Sequence, residues 1–223
     1  MPEPSIPALP DSFHPLVSAW FAERFGEPTP VQAAAWPAIA SGEHVLASAP
    51  TGSGKTLTAF LDALSRFASG SLPPEGLSVL YVSPLKALNE DVRLNLLGPL
   101  RELSAFFTAH GGSFPKIRVA SRSGDTPQSE RRSMASKPPA ILCTTPESLS
   151  ILLASRSGLA VLSTVRLLIL DEVHAVLGTK RGSALACAVG RLALLAGEFQ
   201  RVALSATVRR SEEHTSELQS PNT

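Results

Sequence analysis

Short apolar runs recur along the chain and alternate with segments of helical spacing. The strand-like runs are apolar at nearly every position, which is typical of strands buried on both faces of a parallel sheet. The segments between them have the pattern expected of helices that pack on such a sheet. We therefore predict an α/β fold with a mostly parallel sheet and helices on both faces. The predicted strands are 45–48, 77–83, 117–121, 140–144, 165–170 and 202–205, and the predicted helices are 15–25, 30–40, 57–67, 86–97, 102–109, 128–135, 147–154 and 183–195.

Several polar segments directly follow predicted strands. Parallel strands end at the same edge of their sheet, and ligands of such folds bind beyond the carboxyl ends of the strands. We therefore expect the functional site at that edge.

The composition indicates a soluble globular domain. The chain has 223 residues, 43% hydrophobic content and a net charge of +1, and no apolar run approaches the length of a membrane span. The near-neutral total leaves nucleic-acid binding open, because a local basic track can bind without a basic total. Cys143 and Cys187 lack the spacing of a metal site, so we predict reduced, buried thiols in a cytoplasmic protein.

The segment Ala49–Thr56 joins a predicted strand to a predicted helix and has the features of a phosphate-binding loop. Its glycines allow successive backbone N–H groups to turn inward, and the start of the following helix favours phosphate oxygens. Lys55 can reach the β and γ phosphates, and the Thr56 hydroxyl can ligate Mg²⁺. Ala49 stands where the general pattern has a glycine. The residues assigned to nucleotide binding in this loop are Pro50, Thr51, Gly52, Ser53, Gly54, Lys55 and Thr56.

An acidic pair, Asp171 and Glu172, directly follows the apolar run 167–170. Carboxylates are costly to bury without partners, so an acidic pair at the end of an apolar strand requires an explanation. In a nucleotide site, Asp171 is predicted to hold Mg²⁺, usually through water. Glu172 is predicted to orient and deprotonate the attacking water. The alternative is an acidic pair that opens a surface loop.

Two weaker signals flank these segments. The Gln32 side chain offers a donor and an acceptor, which suits the edge of an adenine base, while the alternative is a solvent-exposed helix residue. Ser205 and Thr207 lie at the end of the last predicted strand, where small hydroxyl residues can link a nucleotide site to a neighbouring domain. The alternative for these two residues is an ordinary turn.

Together these segments resemble the first motor domain of a superfamily 2 helicase, over residues 25–207. This resemblance implies a RecA-like P-loop domain with ATP and Mg²⁺ as cofactors, and the family tolerates Ala49 at the first loop position. It implies that Lys55, Asp171 and Glu172 are catalytic. It also implies that His174, like Ser205 and Thr207, couples the nucleotide site to a neighbouring domain. The matching segments are Gln32 for the adenine-sensing motif, Ala49–Thr56 for motif I, Ser83–Leu88 for motif Ia, Thr144–Leu149 for motif Ib, Asp171–His174 for motif II in a DEVH form, and Ser205–Thr207 for motif III.

A narrower resemblance lies in the segments 122–127, 138–149 and 171–182, which are similar to the large helicase-related (Lhr-type) group. That group consists of bacterial and archaeal ATP-dependent DNA helicases thought to serve repair and to move 3′ to 5′. The resemblance implies a cytoplasmic protein that engages single-stranded DNA at a duplex junction. The alternative within the superfamily is a DEAD-box RNA helicase, which more typically has Asp at position 174. A non-motor P-loop enzyme would leave TTPESL and SAT unexplained, and the intact acidic pair argues against a binding module with a vestigial site.

The loops after the predicted strands also carry candidate contacts to nucleic acid. Such groups track the phosphate backbone without reading sequence, so we expect salt-sensitive binding. Few aromatic residues lie nearby, and base stacking is not supported. Lys180 and Arg181 are either surface charges or part of the site. The candidate contacts are Pro84, Lys86, Arg122, Gly124, Asp125, Thr145, Pro146 and Glu147.

We expect three parts in the chain: residues 1–24 as an N-terminal extension and helix, 25–209 as the RecA-like ATP-binding domain, and 210–223 as a polar tail. The tail resembles the translation of a common sequencing-library adapter, so we expect it to be non-native; the alternative is a genuine disordered tail. In this family a second motor domain follows and supplies arginines, which are worth roughly 10³–10⁵ in rate in phosphoryl transfer. With that domain missing from the sequence, we expect weak binding of Mg–ATP, poor hydrolysis and no unwinding by the chain alone.

Overall fold

Six parallel strands form one sheet in the computed structural model, which describes residues 9–207 apart from the side chains of residues 86–90. The order across the sheet places the first strand at one edge and the third at the other. The predicted α/β class with a parallel sheet is confirmed. The strands are β1 (Val45–Ser48), β2 (Val79–Val82), β3 (Val119–Arg122), β4 (Ile141–Thr144), β5 (Leu167–Leu170) and β6 (Gln200–Ser205), in the order β1-β6-β5-β2-β4-β3.

Helices connect these strands and cover both faces of the sheet. A short 3₁₀ turn, Val173–Ala175, also follows β5. Among residues 9–207, no helix has both the length and the apolar character required to cross a membrane. The α-helices of this part of the chain are α1 (Pro15–Phe25), α2 (Pro30–Ala40), α3 (Lys55–Ala68), α4 (Lys86–Ala109), α5 (Gln128–Ser136), α6 (Pro146–Leu153), α7 (Arg156–Leu162) and α8 (Lys180–Ala196).

The hydrophobic core consists of two clusters, because successive side chains of a strand point to opposite faces of the sheet. In β2, Val79 and Tyr81 belong to one cluster, together with Phe21 of α1. Leu80 and Val82 belong to the other cluster, to which α6 and α8 contribute. Helix α1 therefore packs in the same core as the sheet, and the central strands are buried on both sides.

The predicted helices 86–97 and 102–109 form one continuous helix, α4, so that prediction was wrong. Pro99 lies inside α4 and lacks the N–H that would bond to the preceding turn. The helix nevertheless continues because Leu96 and Leu103 are buried in the first cluster. Tertiary packing of an apolar face stabilises a helix more than local propensity does.

Helix α7 has no counterpart among the predicted helices. It spans only seven residues, which is shorter than the windows in which helical periodicity can be recognised. The Ser155 hydroxyl caps its first turn by accepting a hydrogen bond from the Gly158 N–H (3.1 Å). The thiol prediction was half right, since Cys143 is buried and Cys187 is exposed.

Asp62 is a buried carboxylate within α3, with 3% of the residue exposed. Its Oδ2 atom has no hydrogen-bond partner and lies 3.6 Å from Arg66 Nη1. Arg66 in turn donates a hydrogen bond to Gln200 Oε1 (3.1 Å). Burial raises the pKa of Asp62 to about 6, and the nearby Arg66 offsets that rise only in part.

We predict that Asp62 makes the fold less stable as the pH rises from about 4 to about 6. Between pH 3.8, the ordinary pKa of an aspartate side chain, and a pH of about 6, folded Asp62 keeps a proton that the unfolded chain releases. The folded state therefore binds more protons, and raising the pH through this window lowers the free energy of unfolding. The effect is on the order of 3 kcal/mol. Urea denaturation from pH 4 to pH 8 should show Asp62→Asn to be more stable than wild type above pH 6.

The exposed Asp11 provides the control for this experiment. Asp11→Asn also removes one carboxylate but should leave the pH dependence as in wild type. If Asp62→Asn and wild type had the same pH dependence, the assignment to Asp62 would be wrong.

Candidate functional site

The loop between β1 and α3 wraps around the Lys55 ammonium group. Lys55 Nζ donates hydrogen bonds to the carbonyl oxygens of Ala49 (2.5 Å) and Pro50 (2.7 Å), and the residue is 8% exposed. Gly52 and Gly54 both have left-handed backbones, with φ of 81° and 86°. The buried Ser53 hydroxyl has no hydrogen-bond partner. The loop thus combines a buried cation with an unused hydroxyl group, which is suitable for phosphate oxygens.

Gln32 braces the start of α2 against this loop. Its Oε1 accepts a hydrogen bond from the Thr29 N–H (2.9 Å), and its Nε2 lies 3.5 Å from the Gly54 carbonyl oxygen. The Thr29 hydroxyl donates to the Ser53 carbonyl oxygen (2.9 Å). Gln32 is only 3% exposed, so the alternative of a solvent-exposed helix residue is wrong.

A cleft of about 400 Å³ opens beside Gln32 and the loop. Aromatic side chains of α1 and α3 line one part of it, and the first turn of α3 lines another. Its lining is mostly apolar with a few polar groups, which is typical of a small-molecule site. The lining includes Phe21, Phe25, Gln32, Gly54, Thr56 and Phe60.

The Asp171 carboxylate is fixed by two hydrogen bonds just beyond β5. Its Oδ1 accepts from the Glu172 N–H (2.8 Å), and its Oδ2 accepts from the Tyr81 hydroxyl on the neighbouring strand β2. Burial, together with the adjacent Asp171, raises the pKa of Tyr81 above its usual range. Tyr81 was not among the site residues predicted from the sequence. The available signal was a lone tyrosine within an apolar strand, where a buried hydroxyl needs a partner.

Glu172 has a left-handed backbone, with φ of 49°, and is the one such non-glycine residue within residues 9–207. This conformation is sparsely populated for residues with a Cβ and is concentrated at functional sites. The backbone of Glu172 leads directly into the 3₁₀ turn that carries His174. A carboxylate oxygen of Glu172 lies 3.2 Å from His174 Nδ1.

His174 connects the acidic pair to the end of β6. The Ala206 N–H donates to His174 Nδ1 (3.1 Å), which in a neutral ring leaves the proton on Nε2. Nδ1 can donate to Glu172 only when it carries the proton itself. The hydrogen bonds of His174 to Ala206 and to Glu172 are therefore mutually exclusive.

The end of β6 also contacts the predicted phosphate-binding loop between β1 and α3. Ser205 pairs with Ser48 of β1, and the Ala49 N–H donates to the Ser205 carbonyl oxygen (3.2 Å). Thr207 is the last residue that the structure describes, and it is exposed. The loop, the acidic pair and the predicted coupling residues thus lie on the β1-β6-β5 half of the sheet edge.

The predicted nucleic-acid contacts lie on the other half, beyond β2, β4 and β3. Pro84 follows β2, Arg122 ends β3, and Thr145 caps α6 by accepting from the Ser148 N–H (3.3 Å). The Thr144 hydroxyl donates to the Arg122 carbonyl oxygen (2.8 Å), which links β4 to β3. Pro146 is the first residue of α6 and is buried. The side chain of Lys86 lies outside the described part of the chain.

The loop that contains Gly124 and Asp125 is held by Arg131 of α5, which the sequence analysis did not single out. Arg131 Nη2 donates to the Gly124 carbonyl oxygen (2.6 Å), and its Nε is buried without a hydrogen-bond partner. Burial and the charge of Arg131 lower the pKa of Arg122. Positive charge is therefore concentrated at the end of β3.

The fold and the edge site define the class of the protein. A parallel sheet with a glycine loop after β1 and an acidic pair after β5 is a RecA-like P-loop domain. A family model described as DEAD/DEAH box helicase matches residues 29–215. The chain belongs to the DEAD/DEAH box helicase family.

Within this family the chain is similar to Lhr helicases, which confirms the narrower resemblance. It is 51% identical over 203 residues to the Lhr helicase/probable uracil glycosylase of Mycolicibacterium smegmatis, covering 90% of this chain and 13% of that protein. It is 48% identical over 201 residues to the ATP-dependent helicase Lhr-Core protein 2 of Thermococcus barophilus, covering 88% of this chain and 23% of the relative. The chain therefore spans less than a quarter of the length of either relative.

A solved structure supports the same relationship. The structure of Mycobacterium smegmatis helicase Lhr bound to ssDNA and AMP-PNP superposes with a TM-score of 0.84 at 50% sequence identity. The match covers 90% of this chain and 25% of that chain. The backbone described above is therefore that of an Lhr-type motor domain.

We predict that Gly54→Ala destabilises the fold more than Gly52→Ala. Both positions are left-handed, so a Cβ atom costs roughly 1–2 kcal/mol at either one. A Cβ on Gly54 would lie 2.8 Å from Gln32 Nε2, whereas one on Gly52 would have nothing within 4 Å. Displacing the buried Gln32 amide should cost about 1 kcal/mol more. Urea denaturation measures the difference, and equal losses in the two variants would show that Gln32 is not held as described.

Proposed function

We propose that the chain is the first motor domain of an Lhr-type ATP-dependent DNA helicase of the prokaryotic cytoplasm, with a role in DNA repair. The observation that carries this proposal is the convergence of the glycine loop, the acidic pair and the end of β6 on one half of the sheet edge. The other half carries loops suited to a phosphate backbone. Similarity to Lhr helicases, and to one solved with ssDNA and AMP-PNP, supports the assignment of both halves.

In this proposal Lys55 exchanges its two carbonyl partners for the β and γ phosphate oxygens of ATP. The first turn of α3 supplies unpaired N–H groups and a favourable dipole for the same phosphates. The Gln32 amide lies at the edge of the apolar cleft, where it hydrogen-bonds the adenine. The loop residues Pro50, Thr51, Gly52, Ser53 and Gly54 enclose the phosphates with their backbone.

The donor set fits Mg²⁺, with the Thr56 hydroxyl and the Asp171 carboxylate as candidate ligands. Both donors are oxygen atoms, which Mg²⁺ prefers. Within residues 9–207 no group of three or more His, Cys, Asp and Glu side chains is placed to hold a metal ion, so phosphate oxygens and water would supply the remaining ligands. When bound, Mg²⁺ would neutralise charge on the phosphates.

Glu172 is the proposed general base, because it adjoins the Mg²⁺ ligand and its carboxylate is held close to His174. Because His174 Nδ1 can hydrogen-bond to either Glu172 or Ala206 but not to both, the site has two hydrogen-bonding arrangements. In the arrangement with Ala206 the Glu172 carboxylate has no hydrogen bond from His174 and is available to accept a proton from water. The end of β6, which carries Ser205 and Thr207, would thereby respond to ATP hydrolysis through the hydrogen bond between Ala206 and His174.

The nucleic-acid half of the edge would follow the backbone of a single strand next to a duplex junction. N–H groups at the start of α6, the loop with Gly124 and the Arg122 guanidinium are the proposed phosphate contacts, with Pro84, Lys86, Asp125, Thr145 and Pro146 alongside. A second RecA-like domain, carried by the longer helicase, would close over ATP. The relatives, at more than four times the matched length, have room for such a domain.

The decisive experiment compares single-stranded DNA with single-stranded RNA. We expect fluorescence anisotropy to show salt-sensitive binding of the DNA by the chain, and we expect the full-length protein to show ATPase activity stimulated by the DNA. Preference for RNA in both measurements would favour a DEAD-box RNA helicase. Nucleotide turnover without nucleic-acid binding would favour a non-motor P-loop enzyme.

We predict opposite consequences for two substitutions in the ATP site. Lys55→Ala should abolish nucleotide binding, because it removes the cation that neutralises the phosphates. Glu172→Gln should bind nucleotide like wild type but stop hydrolysis, because the amide cannot accept the proton. Binding is measured with a fluorescent ATP analogue on the chain, and turnover on the full-length protein. Full turnover by Glu172→Gln would rule out Glu172 as the base.

We also predict that Tyr81→Phe weakens Mg²⁺ binding without weakening the interaction with the nucleotide itself. The change removes only the hydroxyl that holds Asp171 Oδ2, and loss of such a supporting hydrogen bond typically costs roughly tenfold in metal affinity. Mg²⁺ titrations followed by AMP-PNP binding on the chain measure this effect. Binding in EDTA should be as in wild type. An unchanged Mg²⁺ requirement would mean that Tyr81 does not position Asp171.

A further inference from the structure

One guanidinium group joins the segments that follow three adjacent strands. Arg181, in the first turn of α8, donates from Nε to Glu147 Oε1 (2.7 Å) and from Nη2 to the Pro84 carbonyl oxygen (3.0 Å). Pro84 follows β2 and Glu147 follows β4, while α8 follows the segment that begins at the end of β5. These three strands are neighbours in the sheet.

The start of α8 is itself fixed to the segment that carries the acidic pair. The Thr179 hydroxyl caps α8 by accepting from the Gly182 N–H (3.2 Å). A Cβ atom on Gly182 would lie 2.2 Å from the Val176 carbonyl oxygen, so only glycine permits this close approach. Arg181 therefore extends from a well-defined position rather than from a free loop.

Glu147 is an unexpected residue beside a path for phosphates. Its carboxylate lies at the start of α6, where free N–H groups favour an anion. An unpaired carboxylate there would repel a nucleic-acid phosphate and compete for the same N–H groups. The hydrogen bond from Arg181 lowers the pKa of Glu147 and is the largest influence on it.

We infer that Arg181 is a positioning residue for nucleic-acid binding, an inference that rests on the proposed function. It holds the loops after β2 and β4 at a fixed separation and neutralises Glu147, which was predicted as a nucleic-acid contact but in this inference pairs with Arg181 instead of contacting a phosphate. A planar guanidinium can serve both acceptors at once, whereas the point charge of lysine cannot do so in the same geometry.

The alternative role for Arg181 is a direct contact with a phosphate, and a double-mutant cycle separates the two roles. If Arg181 acts through Glu147, Arg181→Ala should weaken binding of a fluorescent single-stranded DNA about fivefold, a typical size for a coupled charge pair. In the Glu147→Gln background the same change should cost less than about twofold, because no carboxylate is left to repel the DNA. Equal losses in both backgrounds would mean a direct phosphate contact and would overturn the inference.

Two matched variants complete the binding experiment. Lys180→Ala removes the same charge one residue away and should weaken binding less than Arg181→Ala does. Arg181→Lys keeps the charge but not the bridge, and it should lie between wild type and Arg181→Ala. If Arg181→Lys bound as tightly as wild type, charge alone would account for the role of Arg181.

Hydrogen exchange of the free chain tests the positioning role without any nucleic acid. Arg181→Ala should increase amide exchange in residues 83–85 and 145–148, and Lys180→Ala should not. Unchanged exchange in Arg181→Ala would contradict the positioning role even if DNA bound normally. Failure of every variant to bind DNA, with increased exchange in Arg181→Ala, would instead count against the proposed function alone.

Discussion

Parallel pairing of the six strands is the constraint on which both candidate sites depend. It brings every carboxyl end to one edge, so residues far apart along the chain, such as Ala49 and Ser205, meet there. The strand order then divides that edge. The loops after β1, β6 and β5 contain the groups suited to ATP, and those after β2, β4 and β3 contain the groups suited to a phosphate backbone. Both faces of a parallel sheet must be buried, and the two core clusters bury them here.

At this edge several charged side chains are held by hydrogen bonds to other protein groups. Lys55 is bound by backbone carbonyls of its own loop, Asp171 by Tyr81, and Glu147 by Arg181. Such contacts fix each side chain before any ligand arrives, which lowers the entropy cost of binding. They differ in exposure, however. The Tyr81–Asp171 contact is buried, whereas Arg181 and Glu147 are about half exposed, so the pair of Arg181 and Glu147 contributes geometry more than stability.

The sequence was sufficient for the fold class, the strands and the order of the motifs, because each of these depends on local periodicity or on glycine and acidic spacing. Predictions from the sequence failed where tertiary packing decides the extent of a helix or the partner of a side chain. Helix α4 continues through Pro99 because its buried face outweighs one missing hydrogen bond, and no local pattern records that balance. Tyr81 and Arg181 escaped assignment for a related reason. Their partners lie 90 and 34 positions away along the chain, and only the sheet order brings them together.

Strand β2 occupies the boundary between the two halves of the edge, beside β5 on one side and β4 on the other. It carries Tyr81, which holds the candidate Mg²⁺ ligand, and three residues later Pro84, whose carbonyl accepts from Arg181. A displacement of the loop after β2 would therefore strain contacts of both sites, because the two residues lie only three positions apart along the chain. Coupling between distant sites requires an element whose position both ligands affect. The end of β2 is the place where such an element would lie, because it makes one hydrogen bond to each half of the edge.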